Sequence, residues 1–113
     1  MSRAVDGSRG LVRIASLARV PPGAALARTV GGYTIAVFNV DGLLLALDDS
    51  CLRCCASLAA ATPGAAGVRC RCGFDYDLTT GAVRGVARLH TGRYDVNVDG
   101  DDICVAIPAL LGP

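Results

Sequence analysis

The chain has 113 residues, enough for one domain with a modest core. Its basic residues are all Arg, and 11 of them against 10 acidic residues leave a net charge of +1, while aromatic residues make up 4%. The charge balance gives no footprint for nucleic acid or an anionic membrane, and the lack of aromatic surface argues against stacking on single strands. No apolar run reaches the roughly 18 residues of a membrane helix. The start, Met1 to Gly10, carries positive charge with no apolar segment behind it, so a signal peptide is not expected and the cytoplasm is the expected location.

Residues 1–10 are polar and Gly-containing, and are expected to form a flexible tail; 109–113 are expected to form a second one. Between them, strand-like runs alternate with turn residues. Leu11–Ile14 is a short strand, and Pro21-Pro22-Gly23 is a turn. Ala25–Val30 and Tyr33–Val40 are strands joined by Gly31-Gly32, and Asp41-Gly42 turns the chain back into Leu43–Leu47. Asp48 and Asp49 read as solvated caps. A Pro63-Gly64 turn is expected inside the next region, and a Leu78–Gly81 turn follows it. Strands are expected at Ala82-Val83, Tyr94–Val98 and Ile103–Ile107. Many short strands separated by turns predict an all-β fold, a small antiparallel sandwich or barrel, spanning residues 11–108.

Five of the six cysteines fall between residues 51 and 72. They form two clusters, Cys51-Leu-Arg-Cys54-Cys55 and Cys70-Arg-Cys72-Gly73, each directly after a predicted strand. Two close pairs on neighbouring loops bring four soft donors to one point, because a tight turn preorganises each pair. In a compartment that keeps thiols reduced, such a set reads as metal ligation rather than a disulfide framework. Thiolates of this kind suit zinc or an iron–sulfur cluster. The ligand loops span about residues 48–78.

The pattern around the cysteines resembles the Rieske-type ferredoxin family. Leu44 to Cys51 is similar to the family's approach to its first ligand loop, C-x-H, and Cys55-Ala-Ser-Leu58 to its "GAPL". Cys70 and Gly73 are similar to the ends of its second loop, C-x-x-H-G. Gly73-Phe-Asp-Tyr-Asp-Leu-Thr-Thr-Gly81 resembles "GWxFDLxTG", and Tyr94 to Val105 the closing hairpin. The resemblance implies a two-loop [2Fe–2S] electron carrier. It also implies a redox partner, a reductase or an oxygenase, that docks near the loop tips. Within it, Cys51 and Cys70 match family ligands directly. Arg53 stands at the first histidine, and the second loop is one residue shorter, so that Cys72 precedes the glycine.

The leading reading is therefore a [2Fe–2S] cluster held by Cys51, Cys70, Cys72 and either Cys54 or Cys55. Gly73 keeps the backbone close to the site, and Arg53 and Arg71 offset its negative charge. An all-cysteine set lowers the potential relative to a Rieske centre. Zinc in the same thiolates is the alternative. A metal-free fold, stapled by Cys55–Cys72 or Cys54–Cys72 as the resemblance to high-potential members suggests, is another. Thiol–disulfide switching is the last, since Arg53 and Arg71 would favour thiolates. His90, the single histidine, reads as a solvent-facing residue before a turn, and Cys104 as an inert strand residue. Nothing resembles a substrate pocket, so an enzyme is not expected.

Overall fold

A computed structural model describes residues 11–64 and 67–107 of the chain, so the two expected tails lie outside the described residues. In chain order the strands are β1 (Leu11–Ser16), β2 (Ala25–Val30), β3 (Tyr33–Val40), β4 (Leu43–Asp48), β5 (Thr62–Gly64), β6 (Gly67–Arg69), β7 (Asp75–Asp77), β8 (Ala82–Val83), β9 (Val86–His90), β10 (Arg93–Tyr94), β11 (Val96–Asp99) and β12 (Asp102–Ala106). Two single turns of 3-10 helix, Leu17–Arg19 and Leu58–Ala60, interrupt them. No helix among the described residues is long and apolar enough to cross a membrane.

The strands form three antiparallel sheets, ordered β1-β12-β11, β10-β4-β3-β2 and β5-β6-β7-β8-β9. The four-stranded sheet is central, and β3 shows why. Its sequence Tyr33-Thr-Ile-Ala-Val-Phe-Asn-Val40 is apolar without a break from Ile35 to Phe38, so both faces of the strand are buried. Ala36 and Phe38 join one core with Leu47, Leu58, Val68, Tyr76, Leu78 and Val83. Ile35 and Val37 join the other with Ile14, Val20, Ala46, Ile103, Val105 and Ile107. The period-2 alternation of a strand thus divides β3 between two half-cores.

The two hairpins that carry β3 match the sequence expectation residue for residue. Gly31 and Gly32 both have positive φ, as do Asp41 and Gly42, the pattern of the primed two-residue turns. The Asp41 turn is held by Asn39, which is buried; its Oδ1 accepts from the Gly42 N–H at 2.7 Å and its Nδ2 donates to the Val20 carbonyl at 2.8 Å.

Three expectations need correction. Pro63-Gly64 is not a turn: both residues lie in β5, and Gly64 pairs with Gly67. β5 is the edge of its sheet, where a missing N–H costs no ladder hydrogen bond. The single strand expected at Tyr94–Val98 is divided at Asp95, with β10 pairing to β4 and β11 to β12. Asp48 and Asp49 are not solvated caps: Tyr94 donates to Asp48, and Asp49 is buried. Strand β9 was not expected, because Val86–His90 is largely exposed and lacks apolar alternation.

The region carrying the cysteines leaves and rejoins the central sheet at one place. The Asp48 N–H donates to the Gly92 carbonyl at 2.9 Å, where β4 meets β10. Everything from Asp49 to Thr91 is an excursion from that junction.

Candidate metal centre

Two hairpin loops at the end of this excursion hold the cysteines. The first continues the β4 direction. Ser50 bridges Ser57, the Cys51 N–H donates to the Ala56 carbonyl at 2.9 Å, and the Cys55 N–H closes onto the Cys51 carbonyl at 3.0 Å. That closure needs a left-handed residue at its end, and Cys55 takes it with φ 64°. Buried Asp49 then clamps the returning chain, its carboxylate accepting from Ser57 Oγ at 2.9 Å and the Ala59 N–H at 2.8 Å.

The second loop joins β6 to β7. The Cys70 N–H donates to the Phe74 carbonyl and the Gly73 N–H to the Cys70 carbonyl, both at 2.8 Å. Gly73 has φ 105°, which closes a three-residue hairpin loop. Both loops therefore end on a positive-φ residue, glycine in one and cysteine in the other.

This geometry brings one of the two neighbouring cysteines of the first loop, Cys54, to the other donors. The sulfurs of Cys51, Cys54, Cys70 and Cys72 all lie within 4.8 Å of one another. Cys51 and Cys72 Sγ are 3.7 Å apart, and Cys54 and Cys70 Sγ 3.3 Å. The left-handed turn carries Cys55 away from them. It is exposed and lines a cleft with Tyr33, Asp48, Ser50, Cys51 and His90. Cys104 lies half-buried in β12, in another sheet. His90 ends β9 and is exposed. All six cysteines are free thiols, with no Cys55–Cys72 or Cys54–Cys72 bridge.

A left-handed conformation costs a non-glycine residue about 1–2 kcal/mol. Cys55→Gly is accordingly expected to raise stability by about 1 kcal/mol while leaving metal content unchanged. The shift of the urea midpoint and the metal assay check the two halves.

Tyr76 is the site residue that ligand spacing did not single out. It is fully buried beneath the loops, donating its hydroxyl to Cys51 Sγ at 3.3 Å and accepting the Leu52 N–H at 2.8 Å. Burial raises its pKa, and the Cys51 sulfur raises it further. The signal for it was present: a Tyr inside Phe74-Asp-Tyr-Asp, in a chain almost without aromatic residues.

The two buried thiols, Cys51 and Cys70, are electrostatically unequal. Burial works against a Cys51 thiolate. The Tyr76 hydroxyl, the N–H groups of Cys54 and Arg53, and the Cys70 thiol outweigh it and bring the pKa down to about 6. At Cys70 the Cys72 N–H favours the thiolate, but burial and the thiols of Cys54, Cys51 and Cys72 push the pKa up to about 12. A cation among them resolves this conflict by neutralising the crowded thiolates. Arg53 does not enter the cage: its guanidinium lies 5.7 Å from the centre of the Phe74 ring. Arg71 is exposed at the base of the second loop.

Four thiolate donors, two of them on fully buried cysteines, fit a thiophilic metal or an iron–sulfur cluster. Comparison with known proteins shows the family and the fold. The Rieske [2Fe-2S] domain family matches residues 10–109. The ferredoxin of carbazole 1,9a-dioxygenase from Nocardioides aromaticivorans IC177 is 30% identical, with a TM-score of 0.76 over 85% of this chain and 96% of its own. A Sphingomonas yanoikuyae B1 ferredoxin is 25% identical, with a TM-score of 0.78 over 86% of this chain and 98% of its own. The terminal oxygenase of the Nocardioides carbazole dioxygenase shares the fold at 20% identity, TM-score 0.81, over 88% of this chain but 30% of the oxygenase. No curated protein matches the chain.

Proposed function

The chain belongs to the Rieske [2Fe-2S] domain family, and on that premise we propose that it is a one-electron carrier of the ferredoxin type, its [2Fe–2S] cluster held by Cys51, Cys54, Cys70 and Cys72. The observation that carries this reading is the convergence of those four sulfurs from the two loops. The likeness to ferredoxins of nearly the same length supports a carrier rather than an enzyme. A component of an oxygenase system is the partner this suggests, since the relative that is 30% identical is the ferredoxin of a dioxygenase.

A bound cluster supplies the electron couple, and the protein supplies its surroundings. Cys51 and Cys70 are buried, while Cys54 is exposed, so one side of the cage reaches the surface where a partner can approach. Tyr76 stabilises negative charge on Cys51 with its hydroxyl. Gly73 lets the second loop close so that Cys70 and Cys72 point the same way.

The sulfur spacing favours one second reading. A tetrahedral ion with Zn–S of about 2.3 Å has sulfurs about 3.8 Å apart. The pairs at 3.3 and 3.7 Å, and the 4.8 Å limit on all of them, are compact enough for a single structural zinc. Metal and acid-labile sulfide content, with a visible spectrum, on protein purified without oxygen separates the two. Equal iron and sulfide, two of each per chain, is the expected result. One zinc without sulfide selects the second reading. Oxidised cysteines with neither would retire both.

The absence of an imidazole from the cage has a consequence for pH. The potential is expected to change by less than about 10 mV between about pH 6 and pH 8, where histidine ligands would titrate. Protein-film voltammetry across that range checks it. A slope near 59 mV per pH unit would mean that a proton moves with each electron and that the proposed ligand set is wrong.

A further inference from the structure

The loop-tip face is cationic with an apolar centre, and we propose that it docks an acidic surface of the redox partner. The inference rests on the carrier reading and adds the chemistry of the partner. Between Asp49 and Asp75 the sequence contains no acidic residue but has Arg53, Arg69 and Arg71. The acids at the two ends of this stretch are occupied. Asp49 is buried and holds Ser57 and Ala59, and Asp75 lies 3.6 Å from Arg69 and 3.7 Å from Arg84. Arg71 has neither an ion pair nor a hydrogen bond among the described residues. Four acids, Asp95, Asp99, Asp101 and Asp102, gather instead on and beside the β11–β12 hairpin in another sheet. Of these, Asp102 pairs with Arg13 and Asp95 with Arg93, whereas Arg53 and Arg71 form no ion pair among the described residues.

The same face offers something to grip. Leu52 is 47% exposed at the tip of the first loop, an apolar side chain beside the exposed Cys54. Behind the cysteine loops a cleft of about 350 Å³ is lined by Ala56, Ala60, Ala61, Arg69, Cys70 and Arg71. Small walls leave room for an inserted side chain, and guanidinium groups match carboxylates with two parallel hydrogen bonds. Apolar contact at the centre and opposite charge at the rim would steer encounter and fix orientation within reach of the exposed Cys54 edge.

The probe is a dye-labelled peptide of alternating Leu and Glu, with a Leu–Lys peptide as its counterpart, followed by fluorescence anisotropy on the metal-loaded protein. The Glu peptide is expected to bind at low salt and to weaken as salt rises. Arg53→Gln with Arg71→Gln is expected to weaken it about tenfold, and Arg19→Gln with Arg28→Gln, the same loss of charge elsewhere, less than about twofold. Equal losses in both double variants, or tighter binding of the Lys peptide, would overturn the inference. The spectrum of the same sample keeps the two claims apart. A coloured protein that ignores the Glu peptide sinks the docking surface alone. A colourless, cluster-free protein that binds it sinks the carrier reading and leaves an acidic-ligand surface.

Discussion

Cys72→Ser is expected to empty the site and loosen one half of the molecule, whereas Cys55→Ser, only 17 residues earlier in the chain, leaves both intact. In the proposed ligand set Cys72 is the second loop's outer donor, its sulfur 3.7 Å from that of Cys51 across the gap between loops. A serine hydroxyl is a poor ligand for a thiophilic metal, so metal per chain should fall below about a tenth of the wild-type value. Stability follows by linkage: free metal a hundredfold above its dissociation constant stabilises the native state by about 2.7 kcal/mol, and that contribution disappears with the site. The loss should be local. Cys51 and Cys70 pack in the same half-core as Leu58, Val68, Tyr76 and Leu78, whereas the half-core of Ile14, Ile35 and Ile103 contains no cage residue. Amide exchange is therefore expected to accelerate in β6 and β7 and to stay slow in β1 and β12. Loss of metal from Cys55→Ser with retention in Cys54→Ser would reverse the assignment within the first loop.

Tyr76→Phe carries the second large effect, on potential and stability together. The phenol makes two hydrogen bonds at full burial, and phenylalanine leaves the Leu52 N–H without its partner. That donor is only part-buried, so the loss is expected at about 1 kcal/mol, the net worth of one hydrogen bond. The bond to Cys51 Sγ stabilises negative charge, and reduction adds charge, so its loss favours the oxidised state and lowers the potential. Each 1.4 kcal/mol of differential stabilisation is worth about 59 mV for one electron. A drop of several tens of mV is expected by voltammetry, with metal content kept, since no ligand is removed. An unchanged potential would show that the hydroxyl serves only to hold Leu52.

The hairpins were the most legible part of the sequence. Gly31-Gly32 and Asp41-Gly42 impose positive φ, and the uninterrupted apolar run of β3 between them leaves little choice of conformation. The cysteine loops were legible as a site because donor spacing survives without knowledge of the fold. The choice between Cys54 and Cys55 was not legible. It rests on the 3.0 Å closure of Cys55 N–H onto the Cys51 carbonyl, a backbone event that spacing does not encode. The Asp95 break was hidden for a related reason. Tyr94-Asp-Val-Asn-Val98 alternates like one strand, and only the competing partners β4 and β12 divide it. Exposed β9 carries no alternation of apolar and polar residues, because Val86 and Leu89 face solvent on the edge of their sheet.

The meeting of Asp48 and Gly92 makes the metal-bearing segment resemble an exchangeable part. The chain enters and leaves this segment through one neighbourhood, where Asp48 meets Gly92 and β4 pairs with β10. Its loops can vary in length or in donor type while the base beneath keeps its register. Over evolutionary time such a junction separates two kinds of selection. One acts on the sheets for folding, the other on the loops for the metal they select and the voltage at which it works.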